Sequence, residues 1–139
     1  MKGFKLRRVL AILWMAVLLQ LPGLMTFSQA QEDPESSAYF NFEPFITNFE
    51  GDPPGLIKVD ASLRIDAGLE TVIARHLPYI RHEVIMLLNR QHDETLATVD
   101  GREQIRQQAL TLIRQIIRDE AGLDGVNELL FTAFLTQKN

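Results

Sequence analysis

Ile57-Lys58-Val59-Asp60-Ala61-Ser62-Leu63-Arg64-Ile65-Asp66 alternates apolar and polar residues without a break. A strand sends successive side chains to opposite faces, so period two over ten residues predicts a strand with one face in a core and one in water. Before it, Gly51-Asp52-Pro53-Pro54-Gly55 joins two glycines to two prolines, a turn composition. Before that turn, Tyr39 to Phe49 reads as an aromatic strand, which completes a hairpin. Pro44 cannot donate to a sheet ladder and marks an edge position or a bulge. Phe40 and Phe42 share one parity, and Phe45 and Phe49 the other. One extra residue at Pro44 would return all four rings to the same face.

After the hairpin the period changes. Leu69, Val72, Ile73, His76 and Leu77 fall on one helical face, and Ile80, Val84, Leu87 and Leu88 resume it after Pro78. Proline withholds one helical hydrogen bond and crowds the preceding turn, so a kink or break is expected there, giving a short helix and then a longer one. His92 to Gly101 reads as a polar connection, with Asp93 capping a short turn. Gly101 to Glu120 is the second main helix, with an apolar stripe of Ile105, Ala109, Leu112, Ile113, Ile116 and Ile117 and Gly122 as its C-cap. Val126 to Gln137 is the last strand.

The order strand, strand, helix, helix, strand defines an α+β domain: a small three-stranded, mainly antiparallel sheet covered by helices. Six of the eight phenylalanines lie in its first and last strands. At 139 residues, with an N-terminal segment outside the fold, the chain holds one domain of about 100 residues.

That segment carries Lys2, Lys5, Arg7 and Arg8, no acid, and an apolar run from Val9 to Leu19. Ser28 and Ala30 fit the −3 and −1 positions of a secretory signal peptide, so residues 1–30 read as one, with a mature chain starting at Gln31. Val9 to Phe27 is also close to the roughly 20 residues that span a bilayer, and a single-pass anchor is the other reading. Either way the domain lies outside the cytoplasm. Residues 31–38 form a short polar linker, and residues 39–137 the domain.

Composition excludes several functions. There is no cysteine, hence no disulfide framework or thiolate chemistry. Beyond residue 30 the chain has ten basic and 18 acidic residues, a formal −8. That charge disfavours nucleic acid and anionic lipid. His76, His82 and His92 lack metal-site spacing, and no metal is expected. The carboxylates Asp93, Glu94, Asp100, Asp119, Glu120 and Asp124 fall at helix ends and loops, without sign of a shared cleft. There is no nucleophile elbow and no phosphate loop. No catalytic residue and no cofactor follow, and acid content alone does not make a hydrolase. Arg75, Arg81 and Arg90 flank the first helical region, and Arg102, Arg106, Arg114 and Arg118 line the second. Pairing with nearby acids is one reading of them; contact with a partner, above all through Arg81, Arg106 and Arg114, is the other. Arg81 should point to a neighbouring subunit or to a buried acid of its own domain.

Phe42-Glu43-Pro44-Phe45 with Asn48 in the first strand, and Phe131-Thr132 with Phe134 and Gln137 in the last, resemble the flagellar basal-body-associated FliL family. Lys58, Val59, Leu77, Pro78, Ile80, Arg81, Leu87, Leu88 and Gly101 extend the resemblance between them. Ala133 stands where the family commonly carries an acid. The resemblance implies a stomatin-type (SPFH) domain, typically tethered to the periplasmic face of the inner membrane. It further implies a non-enzymatic accessory of the flagellar basal body that forms homo-oligomeric rings around the stator units (MotA/MotB) and supports rotation, swimming or swarming. A free periplasmic binding module without a flagellar role is the alternative that Ser28-Gln29-Ala30 suggests.

Overall fold

The structure is a computed structural model and describes residues 36–138. The candidate signal peptide or anchor therefore lies outside the described residues, as does most of the linker. In order, the elements are β1 (Ser37–Asn41), β2 (Phe45–Phe49), β3 (Gly55–Asp66), α1 (Glu70–Asn89), α2 (Asp93–Ala97), α3 (Val99–Ala121) and β4 (Val126–Lys138). The class is α+β, as the alternating strand and the two apolar stripes predict. The sheet is antiparallel, with β3 at its centre, β1 and β2 end to end along one side, and β4 along the other.

The first predicted strand is divided in two, so the sheet has four strands rather than the expected three. Asn41 faces Ser62 and Phe45 faces Val59, so three residues on one side answer two on the other. The extra residue in Phe42-Glu43-Pro44 is the bulge that Pro44 and the aromatic phase require. Phe42, Phe45 and Phe49 are buried, and Phe40 packs against the same core. The strand also starts earlier than Tyr39, because Ser37 and Ala38 already pair with β3.

Along β3, Ile57, Val59, Ala61, Leu63 and Ile65 are all buried beneath the helices. From α1 come Ile73, Ile80, Val84 and Leu88; from α3 come Ile105, Ala109, Leu110, Ile113, Ile116 and Ile117. The helix α1 lies against β2, α3 against β4, and the two helices touch each other. No helix among the described residues is long and apolar enough to cross a membrane.

Three expectations are corrected. The helix α1 runs through Pro78 without a break. Pro78 is exposed while Ile73 and Ile80 on either side are buried, so packing holds the segment together across the missing hydrogen bond. The polar connection contains the short helix α2, built around the buried Leu96, and His92 rather than Asp93 takes its N-cap position. The helix α3 begins at Val99, ahead of Gly101, because Thr98 caps it: its Oγ1 accepts from the Gly101 N–H at 3.0 Å. At the other end Gly122 closes α3 in the left-handed conformation, φ 66°, as its position in the sequence suggests.

Gly101 is the tightest glycine contact in the fold. A Cβ there would collide with the Thr95 carbonyl oxygen and lie 2.8 Å from Thr98 Oγ1. In an open helix Gly→Ala stabilises by up to about 1 kcal/mol. Here Gly101→Ala is expected to reverse that sign and destabilise by about 1–2 kcal/mol, since backbone cannot step aside as a flexible side chain can. A thermal melt decides it: a raised Tm would show that α2 does not press on α3.

Candidate functional site

Open sheet edges invite pairing with other chains, and proteins usually cover them. Here side chains from the helices reach carbonyls of the outer strands and of the bulge between β1 and β2. On one side the Arg81 guanidinium donates to the Glu43 carbonyl at 2.8 Å and the Pro44 carbonyl at 3.1 Å, and lies 4.9 Å from the centre of the Phe45 ring. Asn89 donates to the Asn48 carbonyl at 2.8 Å. On the other side Arg106 donates to the Leu129 carbonyl at 2.8 Å, and Arg114 to those of Val126 and Asn127 at 2.7 and 2.6 Å. Arg118 instead pairs with Asp124 at 2.8 Å.

The three arginines singled out as interface candidates thus hold helices to strands within their own domain. Arg81 meets neither an acid nor, in this single chain, a neighbour. Its partners are main-chain carbonyls. Such partners have no letter of their own in a sequence, and the two here lie 38 and 37 residues away.

Most of the family-motif positions fall into two structural groups. Glu43, Pro44, Phe45 and Arg81 form one cluster at the first bulge, with Asn48 nearby through Asn89. At the other side of the sheet, Phe131 faces Ala61 and Phe134 faces Val59, while Thr132 is the extra residue between them. That bulge turns both rings to the helix side, with their centroids 5.7 Å apart. Gln137 is exposed opposite Leu56, and Pro78 is exposed on α1.

Arg106 also grips Glu103, with Nε to Oε2 at 2.8 Å, and Gln107 donates to the same carboxylate at 3.0 Å. These bonds, Arg106 first, lower the Glu103 pKa from 4.5 to about 2. A carboxylate with a depressed folded-state pKa adds stability that is fully present above its unfolded value and is lost as pH falls through the folded one. The Glu103 contribution should therefore fade between about pH 4.5 and about pH 2. Glu103→Gln is expected to flatten the acid limb of the stability curve in that window, as read by urea midpoints at successive pH values. An unchanged limb would remove Arg106 as its cause.

No group of three metal-binding side chains forms among the described residues. Among the described residues, three exposed apolar features stand out. The first is a groove of about 310 Å³ where Val99 and Arg102 meet Phe131 and Phe134. The second is the sheet face away from the helices. There Tyr39 lies opposite Arg64, and Ile46 and Leu135 lie opposite Lys58, which shares its face with Leu56. These four apolar residues are all exposed. The third is a long groove between α1 and α3.

Fold and surface together define a small two-layer α+β domain. Its distinctive polar side chains tie helices to strands, and its exposed apolar surface is available for contact. The model of the family described as "Flagellar basal body-associated protein FliL" matches residues 39–137, and the chain belongs to that family. It is 26% identical over 101 residues to the protein named Flagellar protein FliL of Escherichia coli (strain K12), covering 72% of this chain and 65% of the relative. The protein of the same name from Aquifex aeolicus (strain VF5) is 26% identical over 108 residues, covering 75% and 64%. The chain thus spans just under two thirds of the length of these curated relatives.

Proposed function

We propose that this protein is a non-enzymatic accessory of the bacterial flagellar basal body that associates with the stator units (MotA/MotB) and supports motor rotation, and with it swimming or swarming. The observation that carries the proposal is the extent of the family match. Residues 39–137 take in every element of the fold except the first two residues of β1 and the last of β4. The domain works on the periplasmic side of the inner membrane, either anchored by the N-terminal segment or released after Ala30. Copies assemble into a ring. The second half of β4, where Leu135 is exposed and Phe131 and Phe134 are half-buried, supplies edge and apolar surface for that contact.

Deleting the gene should reduce swimming, swarming or torque under load while filaments still assemble. Normal motility under every load would overturn the proposal and favour a free periplasmic module. Mass spectrometry of the native protein separates the two N-terminal readings. A chain starting at Gln31 identifies the cleaved form. An intact Met1, in a pellet that resists high-salt and alkaline washing, identifies the anchor.

A further inference from the structure

The groove between α1 and α3 has a volume of about 740 Å³ and runs along α3 from Gln104 to Glu120. Sixteen helical steps of about 1.5 Å make it roughly 24 Å long, some four turns of helix. Exposed Tyr79 and half-buried Leu112 supply apolar surface over the buried Ile116, and Glu83, 3.9 Å from His82, joins Asp119 and Glu120 in supplying carboxylates among neutral glutamines. Among the described residues, no lysine, arginine or histidine lines it.

The cations of α3 are turned elsewhere. Arg106 and Arg114 bond to β4, and Arg118 pairs with Asp124. Asp119 receives two hydrogen bonds from neutral Gln115, at 2.8 and 2.9 Å. Asp119 and Glu120 also occupy the last turn of α3, where the helix presents its negative end and acids are unfavourable. A locally unfavourable choice beside an open groove is a common mark of a binding surface.

We infer that the α1–α3 groove docks a basic amphipathic helix of a partner protein, its apolar stripe on Tyr79, Leu112 and Ile116 and its lysines or arginines against Glu83, Asp119 and Glu120. Both walls are helices, so the groove offers no ladder to an extended strand. Recognition falls to side chains, the helix-in-groove mode. Charge complementarity selects the basic partner and makes the contact sensitive to salt. The inference does not depend on the flagellar proposal: the binding experiment below can fail while the motility experiment succeeds, and the reverse.

The test titrates the purified full chain into a fluorescent, helix-forming peptide of about 18 residues, with leucine along one face and lysine on its flanks. A matched peptide carries glutamate in place of lysine. Saturable binding of the lysine peptide alone is expected, weakening several-fold between about 50 and about 300 mM salt. Asp119→Lys with Glu120→Lys should weaken it by about tenfold or more. Thr111→Trp, which fills the groove from an exposed position, should do the same without a charge change. Glu50→Lys with Glu94→Lys, an equal charge change at exposed positions outside the groove, should leave it unchanged. Circular dichroism confirms that each variant is folded. The inference is overturned by absent saturation, by equal binding of the glutamate peptide, or by equal loss in the outside variant. Self-association that Thr111→Trp abolishes would assign the groove to a second copy and overturn it as well.

Discussion

Phe45→Ala is expected to destabilise the domain by about 3–5 kcal/mol, the range for removing a fully buried aromatic ring. Phe45 is 2% exposed and lies opposite Val59 on the central strand. Its ring centre is 5.4 Å from that of Phe42 and 4.9 Å from the Arg81 guanidinium. Truncation therefore opens a cavity and removes the apolar platform under a charged group. Small domains are stable by only about 5–15 kcal/mol, so this one substitution consumes a large share. Urea titration should show a lower midpoint with an unchanged slope, as befits lost stability in an unchanged two-state transition. Phe45→Leu keeps most of the volume and should lose roughly half as much. A loss for Phe45→Ala within about 0.5 kcal/mol, the range of surface sites, would contradict the placement of Phe45 in the core.

Arg81→Glu is expected to cost about 2–3 kcal/mol. Hydrogen bonds from a charged donor are worth about 1.5–3 kcal/mol each when sheltered, and less where water reaches both groups, as it does here. The substitution also brings a carboxylate toward two carbonyl oxygens and the negative face of the Phe45 ring. For a domain of this size the melting temperature should fall by roughly 10–20 °C. Arg81→Lys keeps the charge but not the two-pronged donor, and should recover only part of the loss. Combined with Phe45→Leu, the effects should be non-additive, because guanidinium and ring touch. A wild-type melt for Arg81→Glu would release Arg81 from its structural role and return it to consideration as a partner contact.

What the sequence determined by itself was whatever repeats locally. The alternation from Ile57 to Asp66 defined the central strand, because a strand's period of two needs no partner to be read. The stripes through Ile73 to Leu88 and Ile105 to Ile117 defined two helices for the same reason. The parity of four phenylalanines around Pro44 located the bulge, and Gly122 marked the end of α3. Tertiary structure decided the rest. Packing on both sides of Pro78 carries α1 through a residue that would end a helix in isolation. The buried Leu96 draws a helical turn out of a polar connection, and Thr98 moves the start of α3 ahead of Gly101. Thr132 becomes the extra residue of β4 only when its pairing with β3 is known. Above all, the arginine partners are carbonyls brought near by folding, so side-chain chemistry could indicate that Arg81, Arg106 and Arg114 need acceptors but not which ones. The α1–α3 groove follows the same physics. Asp119 and Glu120 were legible as residues at a helix end, but the absence of a lining cation depends on which way the arginines of α3 turn, and that is decided by the β4 carbonyls, the Phe134 ring and the Asp124 carboxylate that they meet.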